Sequence, residues 1–395
     1  MYIHRVKKGE RLRSIADMYG VDAETVATCN GLRSGDRLAI GEELLILTPT
    51  RTYTAKRRDT PERLSMRFGI RRGELLGMNP EMHRGVREGD KIILNYDVRT
   101  HGMAASNGYF FSGCDTLALV RALPYATYVS VAEGVVEGDE IRSLFPSGEA
   151  VRIINDGERV PLLRIYDGGD SRRYTDGDFR KRMAERMIEA AIGGGYKGIT
   201  LGGCMLYDRA TAAEFTVELR GKMIGCDLIL IAEMNEDCDP TVSELADGSV
   251  FFYDKYREPN LGFDEGERRV LGGFACDGES SRTFLELPAF AAAGDGFMTV
   301  DEAMSLARRR GAVIERSDEG MTCSFECGRC GRIVYHSLEN IKARLDIISE
   351  LGFMGISFDI ARTPISHLLM YNALYKTVGT TPVRSREGCS RGYAE

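Results

Sequence analysis

The chain has 395 residues, 43% hydrophobic and 28% charged, enough for two or three domains with a substantial core. A net charge of −7 gives no reason to expect nucleic acid as a partner, and no apolar run approaches the ~20 residues that span a bilayer. Ten scattered cysteines fit reduced thiols better than a disulfide framework, and Trp, the largest platform for stacking a sugar ring, is absent. The start, Met1-Tyr2-Ile3-His4-Arg5-Val6, lacks the charged-then-apolar layout of a secretory leader, so synthesis in a cytoplasm without a signal peptide is expected.

The first hundred residues repeat. Residues 4–47 and 53–94 align at an offset of 49 that shrinks to 48 near the end. His4 matches Tyr53, Tyr19-Gly20-Val21 matches Phe68-Gly69-Ile70, Asn30 matches Asn79, and Gly41 matches Gly89. Each unit reads strand, helix, helix, strand. In the first, the helices are expected near Leu12–Tyr19 and Ala23–Asn30 and the closing strand near Glu43–Leu47. The units are placed at 1–48 and 51–96, followed by a linker at 97–107.

Beyond the linker, short apolar strands alternate with helical patterns. Strands are expected at 108–112, 128–131, 161–166, 198–201, 228–232, 250–253, 283–288 and 355–359, and clear helices at 178–192, 208–223, 300–310 and 338–351. Eight strands with intervening helices over about 270 residues predict an α/β fold, a (β/α)₈ TIM barrel at 108–378. Within it, 297–336 reads as a small α+β insertion, and 379–395 as a mobile tail.

Catalytic groups of such barrels sit at the C-terminal ends of the strands. In this chain the fourth strand ends in Gly202, Gly203 and Cys204. The triple glycine 193–195 follows a helix and enters a strand, the wrong polarity for a phosphate loop. Cys323, Cys327 and Cys330 lie in a predicted hairpin turning at Gly328-Arg329, with Cys327 opposite Cys330. Cys323 would then stand roughly 13 Å along the strand, too far to share one metal, so no metal and no cofactor are expected and Cys327 and Cys330 remain only half of a zinc motif. The short runs Lys56-Arg57-Arg58 and Arg308-Arg309-Arg310 read as solvated faces.

Two resemblances sharpen this reading. The repeat, with Val6-Lys7-Lys8-Gly9-Glu10-Arg11-Leu12, Ile15-Ala16, Tyr19-Gly20-Val21, Asn30 and Ile40-Gly41-Glu42-Glu43-Leu44, resembles the LysM module, which binds N-acetylglucosamine-containing glycans. The resemblance implies glycan contact at Gly9, Glu10, Asn30 and Asn79. The second copy departs, with Arg57-Arg58-Asp59 where the glycine stood and Pro61 for the leucine, a residue tolerated in a first helical turn.

The order of the remaining pieces resembles the glycoside hydrolase family 18 barrel, in the bacterial spore form that follows LysM repeats. Asn107-Gly108-Tyr109, Leu123 through Ser130, Leu285-Glu286-Leu287-Pro288 and Leu351 through Phe358 carry it. The family's Asp-Gly-x-x-x-Asp-x-Glu strand supplies a general acid and a carboxylate that positions the substrate's N-acetyl group, the internal nucleophile. Here Lys197, Gly202 and Cys204 stand at the three acidic positions, with Gly198 retained. Asp208 and Glu214 are the candidates for a relocated acid, although capping or solvent exposure explains both. Tyr253-Asp254 resembles the pair that contacts the N-acetyl group, and Asp359 stands where the family's Trp floors the sugar site.

The resemblance therefore implies a peptidoglycan- or N-acetylglucosamine-binding protein with a catalytically degenerate barrel, acting at a spore or cell-wall surface. Two alternatives stay open. One is an active glycosidase with a relocated acid. The other is a structural spore-coat component, partnered by coat proteins, that binds no sugar.

Overall fold

The computed structural model describes every residue except 34, 204–205, 207, 236–237, 252–270, 273–279, 295, 318–320, 329 and 379–395. Cys204, Tyr253, Asp254 and the expected tail thus lie outside the described residues. The described residues divide into two compact units, Met1–Val129 with Val250–Thr377, and Ser130–Ser249 with Val378.

The first unit opens with two βααβ modules. Module 1 comprises β1 (Tyr2–Arg5), α1 (Leu12–Tyr19), α2 (Ala23–Cys29) and β2 (Glu43–Ile46); module 2 comprises β3 (Pro49–Thr54), α3 (Pro61–Phe68), α4 (Arg72–Met78) and β4 (Lys91–Tyr96). In each, the outer strands pair antiparallel. Ile15, Ala16, Val26, Leu44 and Ile46 fill one small core, and Leu64, Leu75, Ile92 and Leu94 the other. Gly20 and Gly69 end their helices at φ 65° and 66°, the left-handed turn that a Cβ would strain. Thr60 caps α3 by accepting from the Arg63 N–H, and Pro61 occupies the first turn, where no amide is needed.

Module 1 is docked. The Ile314 N–H donates to the Ile40 carbonyl, and the Arg5 guanidinium donates to the Ile314 carbonyl. A Cβ on Gly41 would lie 2.1 Å from that same carbonyl oxygen. Glu42, its side chain 2% exposed, accepts from Arg308 at 2.6 Å, and Glu43 accepts the Leu338 N–H at 2.7 Å. Module 2 is held where the Tyr125 hydroxyl donates to the Gly77 carbonyl at 2.9 Å.

The rest of the first unit supplies β5 (Gly102–Phe110), α5 (Thr116–Ala122), the start of β6 (Tyr128–Glu137), β12 (Thr283–Glu286), β18 (Gly355–Asp359), α12 (Ile365–Leu374) and β19 (Tyr375–Thr377). Because β5 begins at Gly102, the connection from module 2 is shorter than the expected 97–107. The insertion is larger than expected. It starts at β13 (Phe290–Ala293) and continues through β14 (Gly296–Thr299), α10 (Val300–Arg310), β15 (Glu315–Arg316), β16 (Thr322–Cys327) and β17 (Gly331–His336), leading to α11 (Leu338–Leu351). Its five strands form an antiparallel sheet in the order β14-β13-β17-β16-β15. Thr299 and Glu302 close a reciprocal capping box on α10, whose Ala303 and Ala307 face the sheet core.

The second unit carries most of β6, then β7 (Glu140–Ser143), α6 (Gly148–Asp156), β8 (Val160–Asp167), α7 (Gly177–Gly193), β9 (Gly198–Gly203), α8 (Arg209–Met223), β10 (Ile229–Met234), α9 (Pro240–Leu245) and the start of β11 (Gly248–Phe251). In it β8, β9 and β10 pair in parallel, with Leu163 beside Ile199 and Ile199 beside Leu230, and β7 folds back antiparallel on β6. The complete sheet runs β19-β5-β18-β12-β11-β10-β9-β8-β6-β7, and a further β5–β6 pairing closes eight of these strands into a TIM-like barrel. The predicted α/β barrel is therefore the observed fold. Among the described residues no helix is long and apolar enough to cross a membrane.

Candidate functional site

In the second unit, the strand read as the catalytic one is β9, and every residue of it is buried. Lys197 precedes it at the opposite, N-terminal end, exposed, with its N–H donating to the Pro161 carbonyl. Thr200 shares a 2.8 Å hydrogen bond with Ser130, both fully buried. At Gly202 a Cβ would lie 2.2 Å from Oε2 of Glu233 and 3.1 Å from a terminal guanidinium nitrogen of Arg164. Those two side chains form a bidentate ion pair: Arg164 Nε donates to Oε1 at 2.5 Å and Nη2 to Oε2 at 2.8 Å. The pair is 16% and 11% exposed, and Arg164 also lies over the Tyr166 ring. The space that an acidic side chain at 202 would need is already filled.

Gly203 is fixed by the same crowding, with φ +99° and a Cβ position 2.2 Å from the Asp167 carbonyl oxygen. Asp167, at the end of β8, is fully buried. Its carboxylate accepts from Arg173 at 2.6 and 2.7 Å, from the Tyr174 hydroxyl at 2.8 Å and from the Gly169 N–H at 2.8 Å.

The candidates for a relocated acid are surface groups. Asp208 caps α8 by accepting from the Thr211 N–H at 3.1 Å, and that backbone bond holds its carboxyl below the usual range. Glu214, 59% exposed, pairs with Arg180 at 2.8 Å.

In the first unit, β18 ends at Asp359. Its Oδ1 accepts the N–H groups of Ala361 and Arg362, and its Oδ2 pairs with Arg362 at 2.8 Å. The Arg362 guanidinium sits over both Phe111 and Phe290, 5.7 and 5.6 Å from their ring centres, and Phe111 stacks on Tyr109. Sequence reasoning placed a carboxylate at 359 but missed the arginine three residues on. Glu233–Arg164 was missed because its partners are 69 residues apart on different strands.

The module residues divide by role. Gly9 is exposed at φ +87°, and nothing stands within 4 Å of its Cβ direction. Glu10 accepts the Lys7 N–H at 2.7 Å and bonds His4 Nε2 at 2.9 Å, and the backbone bond, then His4, holds its carboxyl below the usual range. Asn30 and Asn79 are turned inward. The Asn30 amide donates to the Val26 and Leu45 carbonyls and accepts the Leu45 N–H; Asn79 does the same with Leu75 and Ile93. Both amides tie the second helix to the closing strand and have no donor left for a sugar.

A groove of about 1640 Å³ runs along module 1, lined by Gly9–Arg13, by Ala27, Thr28 and Gly31–Arg33, and on the far side by Arg84, Arg121 and the segment 360–365 after β18.

The cysteine hairpin differs from expectation. Cys327 faces Gly331, not Cys330, which lies in the turn with its N–H bonded to the Cys327 carbonyl. The cause is Gly331 at φ +67°, which adds a bulge residue and slides the register by one. Cys323, facing Tyr335, is buried, and burial pushes its thiol up to about 12. Among the described residues no three His, Cys, Asp or Glu side chains are grouped to hold a metal ion.

Comparison with known proteins fits this geometry. The LysM domain profile matches residues 4–47. No curated protein matches the chain. Among solved structures, the spore cortex-lytic enzyme SleL of Bacillus megaterium superposes with a TM-score of 0.72 at 15% identity, over 95% of this chain and 98% of that one. The Bacillus cereus SleL gives 0.72 at 13%, over 96% and 99%. A family 18 chitinase of Cycas revoluta, solved with an N-acetylglucosamine trimer, gives 0.59 at 13%, over 68% of this chain and 98% of that one. Residues 4–47 are thus a LysM domain, and the chain as a whole has the fold of these spore cortex-lytic enzymes, its barrel that of the chitinase.

Proposed function

We propose that the protein binds peptidoglycan or a related N-acetylglucosamine glycan through its LysM face, at a spore or cell-wall surface, and that its barrel is a scaffold rather than a hydrolase. The observation that carries this reading is the Arg164–Glu233 pair in the space beside Gly202. Two further carboxylates at strand ends are also paired with an arginine, Asp167 with Arg173 and Asp359 with Arg362. A general acid must deliver a proton to a leaving oxygen within hydrogen-bond reach. In each of these three carboxylates, Glu233, Asp167 and Asp359, at least one oxygen is committed to a guanidinium. The likeness to spore cortex-lytic enzymes supports the surface assignment, and the LysM match supports the ligand class.

The second reading, a glycosidase with a relocated acid, draws on Glu233, a carboxylate on the strand next to β9. One experiment separates the readings. The full chain is mixed with insoluble peptidoglycan and, in parallel, with a chromogenic N-acetylglucosamine oligomer. Retention without turnover is the expected result. Turnover abolished by Glu233→Gln, Asp208→Asn or Glu214→Gln would establish the glycosidase. Absence of both retention and turnover would leave the structural coat role.

A further inference from the structure

The groove along module 1 has a composition that a neutral glycan does not need. We infer that it takes an anionic N-acetylglucosamine-containing glycan in preference to a neutral one, with four arginines of module 1 as the recognition charge. This rests on the glycan-binding reading above and names the ligand class for it.

The four are Arg11 and Arg13, at the start of α1, and Arg33 and Arg37, in the loop after α2. All line the groove and all are exposed. None of the four forms an ion pair among the described residues. The opposing carboxylates are mostly committed. Glu10 is held by the Lys7 N–H and His4, and Asp36 by the Arg33 N–H and by Arg308 behind it. Glu81 is shared by Arg84 at 3.0 Å and Arg121 at 3.5 Å, so two cations face one anion on that wall. Across the whole lining six arginines face five carboxylates, Glu10, Glu24, Asp36, Glu81 and Asp301, and the four arginines of module 1 are the cations that no carboxylate holds among the described residues.

The groove also exceeds the size of a small-ligand pocket. At about 1640 Å³ it is larger than the ~300–1,000 Å³ that such ligands fill, and it runs past the module toward the loop after β18. That shape suits a polymer. Arginine forks pair two N–H groups with one carboxylate or phosphate, so acidic substituents along the strand would meet a matching row. Wall glycans carry such groups as stem-peptide carboxylates or as phosphates of attached polymers.

The test uses the full chain and four probes: sacculi freed of teichoic acid, sacculi retaining it, amidase-treated glycan strands without peptides, and chitin. Sedimentation gives the affinity for each at low and high salt. The expected result is binding to either kind of sacculus roughly tenfold tighter than to chitin or stripped strands, and weaker at high salt. Equal affinity for both sacculi assigns the carboxylates, and preference for the teichoic-acid form assigns the phosphates. Arg13→Ala with Arg33→Ala should cost roughly tenfold on sacculi, while Arg13→Lys with Arg33→Lys, which keeps the charge but loses the fork, should cost roughly threefold. Both side chains are exposed, and an unchanged circular-dichroism spectrum separates lost binding from lost fold. Equal, salt-independent binding to all four probes would overturn the inference and leave the glycan reading standing. Binding to none would overturn the reading itself.

Discussion

The substitution Gly202→Ala tests whether the strand end is packed shut. The added Cβ would lie 2.2 Å from Glu233 Oε2 and 2.9 Å from its Cδ. That is about 1 Å inside carbon–oxygen contact. A free glutamate tip would swing aside at little cost, but this one is held at both oxygens by Arg164. Making room means breaking at least one charge-assisted hydrogen bond, worth about 1.5–3 kcal/mol, and Gly203 cannot yield because its own Cβ direction is blocked by the Asp167 backbone. Overpacking alone adds about 1–3 kcal/mol. We therefore expect a loss of about 3 kcal/mol, read as a lowered urea midpoint at unchanged slope. The same change should be nearly silent in a Glu233→Ala background, where the obstructing tip is gone. This gives an interaction energy of about 3 kcal/mol in the double-mutant cycle. A cost below about 0.5 kcal/mol in the wild-type background, or additivity in the cycle, would refute the idea that the pair fills the place of the acid.

Three further outcomes are expected. Arg58 keeps φ at 73° where Gly9 of the first copy has 87°, so Arg58→Gly should stabilise module 2 by about 0.5–1 kcal/mol, after the glycine's greater freedom in the unfolded chain is subtracted; an unchanged melting point would count against it. Gly41→Ala should loosen module 1, because the new methyl meets the Ile314 carbonyl at φ +84°; the Ile314 amide, which donates to Ile40, would lose hydrogen-exchange protection, and retained protection would contradict the docking account. Burial lowers both His336 and His367 to about 3, so the unfolded state takes up protons first: their stability is fully present above about pH 6.5 and is lost as pH falls from there toward 3, at about 1.4 kcal/mol per pH unit for each, and His367→Gln should flatten that slope in a pH series of urea titrations.

What could be read from the sequence was what local pattern decides. The barrel strands at 161–166, 198–201, 228–232, 283–288 and 355–359 and the helices at 300–310 and 338–351 follow from apolar periodicity and glycine stops, and they sit where expected to within about two residues. The linker end was misplaced because β5 starts with Gly102-Met103-Ala104-Ala105, residues too small and too weakly patterned to announce a strand. The hairpin register was missed because one left-handed glycine, Gly331, decides it. At the candidate site the sequence could show which acids were absent but not what replaced them. An ion pair spanning 69 residues leaves no mark in either strand taken alone. Asn30 and Asn79 look like sugar contacts by motif, yet their spacing from Leu45 and Ile93 is what makes them struts.

The two modules show how such a strut system was adapted. In module 1 the Ala39 N–H bonds Glu42 Oε2, and in module 2 the Arg87 N–H bonds Asp90 Oδ2 at the position 48 residues on. Likewise Glu10 accepts the Lys7 N–H and bonds His4, while Asp59 accepts the Lys56 N–H and the Tyr53 hydroxyl. The backbone duty is the same in both copies. The difference lies in the spare oxygen. Glu42, longer by one methylene than Asp90, turns its Oε1 to Arg308 in the insertion, where the pair is almost wholly buried. Buried ion pairs add little net stability, but losing one partner is costly, so they fix a particular arrangement better than they strengthen it. Among the described residues Asp90 of module 2 makes no such ion pair, and the following residue, Lys91, pairs with Asp22 of module 1. A one-methylene difference between two repeats thus sets which module is locked against the insertion. It follows that the wall opposite Gly9–Arg13, formed by the segment after β18, belongs to this chain's arrangement and would be missing from module 1 taken alone.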